Sequence, residues 1–202
     1  MRTRAQWVIG VDEAGRGPLA GPVAVGVVLA PKGFDIKKAF PGVADSKKLS
    51  EKKREAIFSM LERWSDDDVR YAVVFASAKT IDGKGISAAI RESVAQGVRM
   101  LAPNARDGCV LLDGSLHAPA AYTQRTIIKG DATEPIISLA SIAAKVTRDR
   151  RMKKLAQKYP VYGFERHKGY GTKAHYAALQ QHGLSPEHRT TYLTNVLPRI
   201  QK

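Results

Sequence analysis

The sequence predicts an α/β fold: a mixed β-sheet flanked by helices, with a basic helical extension at the C-terminus. Three observations carry this. Short β-branched apolar runs are bounded by Gly, Pro or charge, longer stretches between them repeat their apolar residues at helical spacing, and basic charge gathers late in the chain. The 202 residues are 44% hydrophobic and 26% charged, a composition and length that suit one globular domain with its own core.

Strands are expected at Trp7–Val11, Val23–Leu29, Arg70–Phe75, Cys109–Leu112 and Arg125–Ile128. The first two are joined by a Gly- and Pro-rich connection too short for a crossover helix, so they should pair antiparallel. A helix is expected from Ser50, as its N-cap, to Trp64, with Ile57, Phe58, Leu61 and Trp64 on one stripe. A second spans Ile86–Leu101, and a third runs from Pro135 to Tyr159, where Pro160 stops it. Helical turns over Thr172–His182 and Pro186–Ile200 finish the chain. The expectation is a single domain over 1–202, with a core at 1–158 and an extension at 159–202.

There are 33 Lys and Arg against 19 Asp and Glu, a net charge of +14, which attracts polyanions and makes their binding salt-dependent. From Lys145 to Lys202 there are 13 basic and 3 acidic residues. Charge alone does not say which polyanion, and a basic face is often only solvated. Cys109 is the single cysteine, which excludes an internal disulfide or a cysteine zinc site and fits a reducing, cytoplasmic setting. The longest apolar stretch, Pro18–Pro31, is broken by Pro and Gly and is too short to cross a bilayer, and no signal peptide is expected.

Against this basic background four acids stand out. Asp12 and Glu13 follow the first strand directly, Asp113 follows Cys109–Leu112, and Asp131 follows Thr126–Gly130. If the strand ends converge, the carboxylates repel one another unless cations neutralise them. A hard, oxygen-seeking ion such as Mg²⁺ suits that donor set, and two such ions can drive in-line phosphodiester hydrolysis. Asp113 before Gly114, and Asp131 before a helix, read equally well as turn or cap residues. The adjacent pair Asp12-Glu13 has no such structural role.

The run Asp12-Glu13-Ala14-Gly15-Arg16-Gly17-Pro18-Leu19-Ala20-Gly21-Pro22 closely resembles the signature of bacterial ribonuclease HII. Asp45-Ser46-Lys47-Lys48-Leu49-Ser50, Leu112-Asp113-Gly114, Lys129-Gly130-Asp131, Ala140 to Asp149 and His167 to Thr172 continue the match in the family's order. The resemblance implies a ribonuclease H-like fold in which Asp12, Glu13, Asp113 and Asp131 are catalytic and hold two Mg²⁺ or Mn²⁺ ions. It implies an endonuclease acting on RNA/DNA hybrids and on duplex DNA containing a ribonucleotide, nicked on its 5′ side to leave 5′-phosphate and 3′-hydroxyl ends. Gly15, Arg16 and Gly17 would then recognise the 2′-hydroxyl, Tyr170 would pack on the next deoxyribose, and Ser46, Lys47 and Lys48 would meet phosphate. A monomer with no membrane or disulfide partner is the expectation.

Near the C-terminus the family commonly reads His-His-Arg-Arg-Ser-Phe, whereas this chain has Glu187-His188-Arg189-Thr190-Thr191-Tyr192. No catalytic role is carried over to that segment, and Arg189 is left a simple phosphate contact. Other readings are a ribonuclease HIII-like enzyme, a non-catalytic basic nucleic-acid-binding protein, and a transposase or resolvase relative. The first usually has a different loop after its acids and an added N-terminal domain, the second leaves the acids unexplained, and the third gives Gly15-Arg16-Gly17 no role.

Overall fold

The computed structural model describes residues 6–44, 46–64 and 68–194. Strands β1 (Trp7–Ala14) and β2 (Val23–Pro31) are followed by α1 (Ile36–Ala39), α2 (Glu51–Trp64) and β3 (Arg70–Ala76). Then come α3 (Ala78–Lys84), α4 (Ile86–Leu101), β4 (Gly108–Asp113), β5 (Thr123–Ile127), α5 (Gly130–Thr133) and α6 (Pro135–Lys158). Helices α7 (Phe164–His167) and α8 (Lys173–His182) complete the regular helices of the described chain. The expected α/β class holds: five strands form one mixed sheet in the order β3-β2-β1-β4-β5.

β1 is central, antiparallel to β2 and parallel to β4, with Val11 opposite Leu112 at the end of the parallel register. β4 pairs parallel to β5. Three parallel strands therefore deliver their C-terminal ends, and whatever follows them, to the same edge of the sheet, where clefts in such sheets form.

Successive residues of a strand face opposite sides, and β1 obeys this closely. Ile9 and Val11 join the apolar layer shared with Ile90, Val94 and Val98 of α4, while Val8 packs with Ile137, Ala140 and Ile142 of α6. Gly10 faces α6 so closely that a Cβ there would lie 2.4 Å from the Ile136 carbonyl oxygen, and one at Gly26 would lie 2.1 Å from that of Ala140. The two glycines let backbone meet backbone, and α6 is buried along most of its length as a result.

Two expectations differ from the structure. The strand expected at Arg125–Ile128 starts earlier, at Thr123, and ends at Ile127. The helical turn expected over 186–200 is replaced, among described residues, by extended backbone and a single 3₁₀ turn at Thr190–Tyr192; residues 195–200 lie outside the described chain. The reason is competition for the backbone groups. Gly21 N–H donates to Glu187 O and Arg189 N–H to Leu19 O, at 2.8 Å each, bridging His188 to Ala20 instead of closing helical turns.

Candidate active site

The alternation that organises β1 also separates its two acids. Asp12 lies on the α6 face with Gly10 and is only 5% exposed, whereas Glu13 turns the other way and pairs with Arg16 at 3.1 Å. Asp113 shares the face of Leu111 at the end of β4, and the β1–β4 register brings it beside Asp12. Lys129, in the left-handed region at φ 56°, turns the chain so that the amides of Gly130 and Asp131 both donate to Asp113 Oδ1, at 2.7 and 3.3 Å.

One carboxylate oxygen each from Asp12, Asp113 and Asp131 falls within 4.8 Å of the others. Three anionic hard donors this close suit a divalent cation of the Mg²⁺ or Mn²⁺ kind and suit no softer metal. Burial, with the charges of Glu13 and Asp113 beside it, pushes the Asp12 carboxyl up to about 8, against the lowering effect of its hydrogen bond with Ser141. Burial also raises Glu13, helped by Asp113 and opposed by Arg16. Glu13 is outside the close group of three but lines the same cavity, of about 470 Å³, as Asp12 and Asp113.

That cavity also receives Gly15, Arg16, Gly17, Ser46, Lys47 and Tyr170, so nearly every residue singled out in the sequence reaches one place. Lys47 Nζ stands 3.0 Å from Asp131, and Ser46 is buried against Ser141, Oγ to Oγ 2.8 Å. Lys48 is exposed and does not line the cavity. Tyr170 is 46% exposed, and its ring edge is the nearest atom, at 4.0 Å, to where a Cβ on Gly17 would be. The Gly17 backbone and the exposed Tyr170 ring are thus close neighbours, with room for no more than a small side chain between them.

Sequence reading missed the residues that hold these pieces. Ser141, Lys145 and Arg148 of α6 line the cavity, and their spacing of four and three residues puts them on one face of the helix, the first two within its largely apolar N-terminal half. Arg148 is 1% exposed and donates through Nε to Pro22 O at 2.9 Å and through Nη2 to Lys168 O at 3.0 Å. Burial lowers its guanidinium to about 10, still cationic at neutral pH. Arg54 donates to Ser46 O at 2.9 Å and to Leu49 O, fixing the turn before α2. Arg189, expected at a phosphate, is instead fully buried, its donors taken by main-chain carbonyls of residues 15, 16 and 21, so it cannot reach a phosphate.

Behind this lies a histidine chain. His175 Nδ1 donates to Tyr170 O at 2.9 Å, leaving Nε2 to accept from His188 Nε2–H at 3.0 Å, while His188 Nδ1 accepts from Ser185 N–H at 2.9 Å. Every nitrogen is matched only when both rings are neutral. Burial, and then His175, depress His188 to about 4, and burial depresses His175 too. Because the folded values lie below the ordinary 6.5, stability is unaffected above that pH and is lost as pH falls from 6.5 toward 4. A loss on the order of 2 kcal/mol is expected. Melting temperatures read from pH 7 to pH 4.5 should fall more steeply in the wild type than in His188→Gln; parallel curves would contradict the chain's role.

Comparison with known proteins agrees with this arrangement. The ribonuclease HII family model matches residues 9–195. A ribonuclease HII of Geobacillus kaustophilus is 43% identical over 185 residues, 92% of this chain and 67% of that protein. One from Endomicrobium trichonymphae is 45% identical over 186 residues, covering 92% of this chain and 84% of that protein. The crystal structure of the ribonuclease H2 from Pyrococcus horikoshii is similar at a TM-score of 0.76 and 29% identity, over 97% of this chain and 99% of that one. The matched range spans the acids, the glycine loop and most of the C-terminal segment, and the chain belongs to the ribonuclease HII family.

Proposed function

We propose that this protein hydrolyses the RNA strand of RNA/DNA hybrids and nicks duplex DNA on the 5′ side of a single ribonucleotide, leaving 5′-phosphate and 3′-hydroxyl ends. The observation that carries the reading is the gathering of Asp12, Asp113 and Asp131 within 4.8 Å, the first two of them in the wall of a cavity that a glycine loop and cationic side chains also line. Asp12, Asp113 and Asp131, with Glu13, would hold two Mg²⁺ or Mn²⁺ ions. Bound there, the ions supply activation of water and charge neutralisation for in-line displacement.

The remaining residues position the duplex. The glycines of Gly15-Arg16-Gly17 let main-chain donors and acceptors come within reach of a sugar, and the 2′-hydroxyl is the group that distinguishes ribose from deoxyribose there. Tyr170 offers its flat face to the next sugar, where an added hydroxyl would spoil the contact. Lys47 and Lys145 meet phosphates, with Ser46 beside them and Lys48 at the outer edge, and the wider basic surface gathers the polyanion. Among the described residues no helix is long and apolar enough to cross a membrane. We place the protein in the cytoplasm as a monomer.

Incubation with a duplex carrying one ribonucleotide, with Mg²⁺ or Mn²⁺ and then with EDTA, tests the reading. Metal-dependent nicking 5′ to the ribonucleotide is expected; retention of intact duplex would leave only a binding protein. Gly17→Ala gives a finer check, because its Cβ would meet nothing nearer than 4.0 Å and the fold should tolerate it. A loss of about tenfold or more in kcat/KM on that duplex is expected, and unchanged cleavage would remove the loop from recognition. Gly15→Ala is less informative, since its Cβ would fall 1.9 Å from Arg148 Nε at a backbone φ of +91°.

A further inference from the structure

The Gly15–Gly17 loop is neither helix nor strand beyond Ala14, yet its carbonyls are held from the far end of the chain. Arg189 donates through Nη2 to Gly15 O at 2.7 Å, through Nη1 to Arg16 O at 2.8 Å, and through Nε and Nη2 to Gly21 O at 3.0 and 2.9 Å. Tyr192 Oη donates to the same Arg16 carbonyl at 3.1 Å, and its ring lies 5.2 Å from the Arg189 guanidinium. A planar fork of donors meeting three carbonyls is a geometry that arginine has and lysine lacks.

The donor pair is itself tied down. Asp82 accepts from the amides of Thr190 and Thr191 at 2.8 and 3.1 Å and from their hydroxyls at 2.8 and 2.6 Å. Those hydrogen bonds hold Asp82 below the usual carboxylate range, although burial opposes them. Thr190 and Thr191 thus anchor the segment to α3, and Tyr192 brings a hydroxyl to the Arg16 carbonyl.

A peptide unit is planar, with its C=O and the following N–H pointing opposite ways. Fixing the carbonyls of Gly15 and Arg16 therefore fixes where the N–H groups of Arg16 and Gly17 point, on the side of each peptide away from Arg189. Both residues line the cavity. We infer that Arg189 and Tyr192 are positioning residues for ribonucleotide selection, holding two peptide units of the loop so that their amides are presented ready-aligned to a 2′-hydroxyl. The inference rests on reading Gly15-Arg16-Gly17 as the sugar-sensing loop. Neither side chain is a catalytic residue: each acts through the backbone of the loop.

Tyr192→Phe and Arg189→Lys, compared with wild type, test it on a duplex carrying one ribonucleotide, reading kcat and KM separately, the melting temperature, and hydrogen exchange in the peptide spanning 15–21. Phosphate contacts dominate KM, so misaligned amides should appear in kcat. Tyr192→Phe should lower kcat about three- to tenfold with KM within about twofold and an unchanged melting temperature. Arg189→Lys should lower kcat about 100-fold, with faster exchange in the loop. A purely structural role would move the melting temperature and leave kcat of the folded protein alone. If wild type nicks at the ribonucleotide and Tyr192→Phe keeps its kcat within about twofold, the inference falls while the proposed function stands. If wild type ignores the ribonucleotide, the proposed function falls and takes the inference with it. Should Arg189→Lys fail to fold, Tyr192→Phe decides alone.

Discussion

Asp12→Asn is expected to lose at least about three orders of magnitude in turnover while still binding duplex at low salt and melting no lower than wild type. Asparagine keeps the shape of the side chain and the hydrogen bond toward Ser141, so the packing of β1 on α6 is undisturbed. It removes one of the three carboxylate oxygens that, among the described residues, meet within 4.8 Å, and divalent affinity at such a site depends on the number of charged ligands. It also relieves a buried carboxyl that burial and the neighbouring Glu13 and Asp113 disfavour as an anion, so stability should be kept or improved, as at other strained functional sites. Binding survives because it draws on distributed Lys and Arg contacts. Asp113→Asn should lose turnover similarly, with some cost in stability, since Asp113 also accepts the amides of Gly130 and Asp131. Steady-state cleavage, filter binding at low salt and thermal melts on the same preparations check all three points. Full activity in either variant would remove these carboxylates from the reaction.

Gly10→Ala is expected to destabilise the fold by about 3 kcal/mol or more. The added methyl would sit 2.4 Å from Ile136 O, 2.5 Å from its carbonyl carbon and 2.8 Å from Ile137 N, all main-chain atoms that no rotamer change can move aside. Relief requires β1 and the first turn of α6 to separate, and the same two elements carry Asp12 and Ser141. Activity measured on the folded fraction should therefore fall together with the denaturation midpoint. Gly83→Ala, where a Cβ would meet nothing within 4 Å, serves as the control. An unfolding midpoint for Gly10→Ala within about 0.5 kcal/mol of wild type would contradict the close strand–helix contact.

Much of this was legible in the sequence because each feature had a local cause. β1, β2 and β3 announce themselves as apolar β-branched runs, and α4 by its repeating Ile90, Val94 and Val98. Asp12 and Glu13 were visible as adjacent charges with no structural role to explain them, whereas Asp113 and Asp131 read equally well as turn or cap residues. Asp12 and Glu13 nonetheless looked like one unit, and only the two-residue period of β1 separates the buried Asp12 from Glu13, which pairs with Arg16.

What sequence could not show was set by contacts distant along the chain. Arg189 reads as one more surface cation until the extended pairing of His188 with Ala20 carries it under the loop at Gly15. The helix expected over 186–200 rested on local pattern, and competition from the Leu19–Gly21 backbone overrides such pattern among the described residues. Short elements such as α1, α3 and α7 escaped notice because four to seven residues hold too few repeats to display a period.

Acids more than a hundred residues apart should hold one cation between them, and crystals soaked in Mn²⁺ and measured for anomalous scattering would locate it. The expected result is a peak within ligand distance of the carboxylates of Asp12 and Asp113, lost in Asp12→Asn. Carboxylates that stay free of metal at saturating Mn²⁺, or a peak bound elsewhere and unaffected by that substitution, would contradict it.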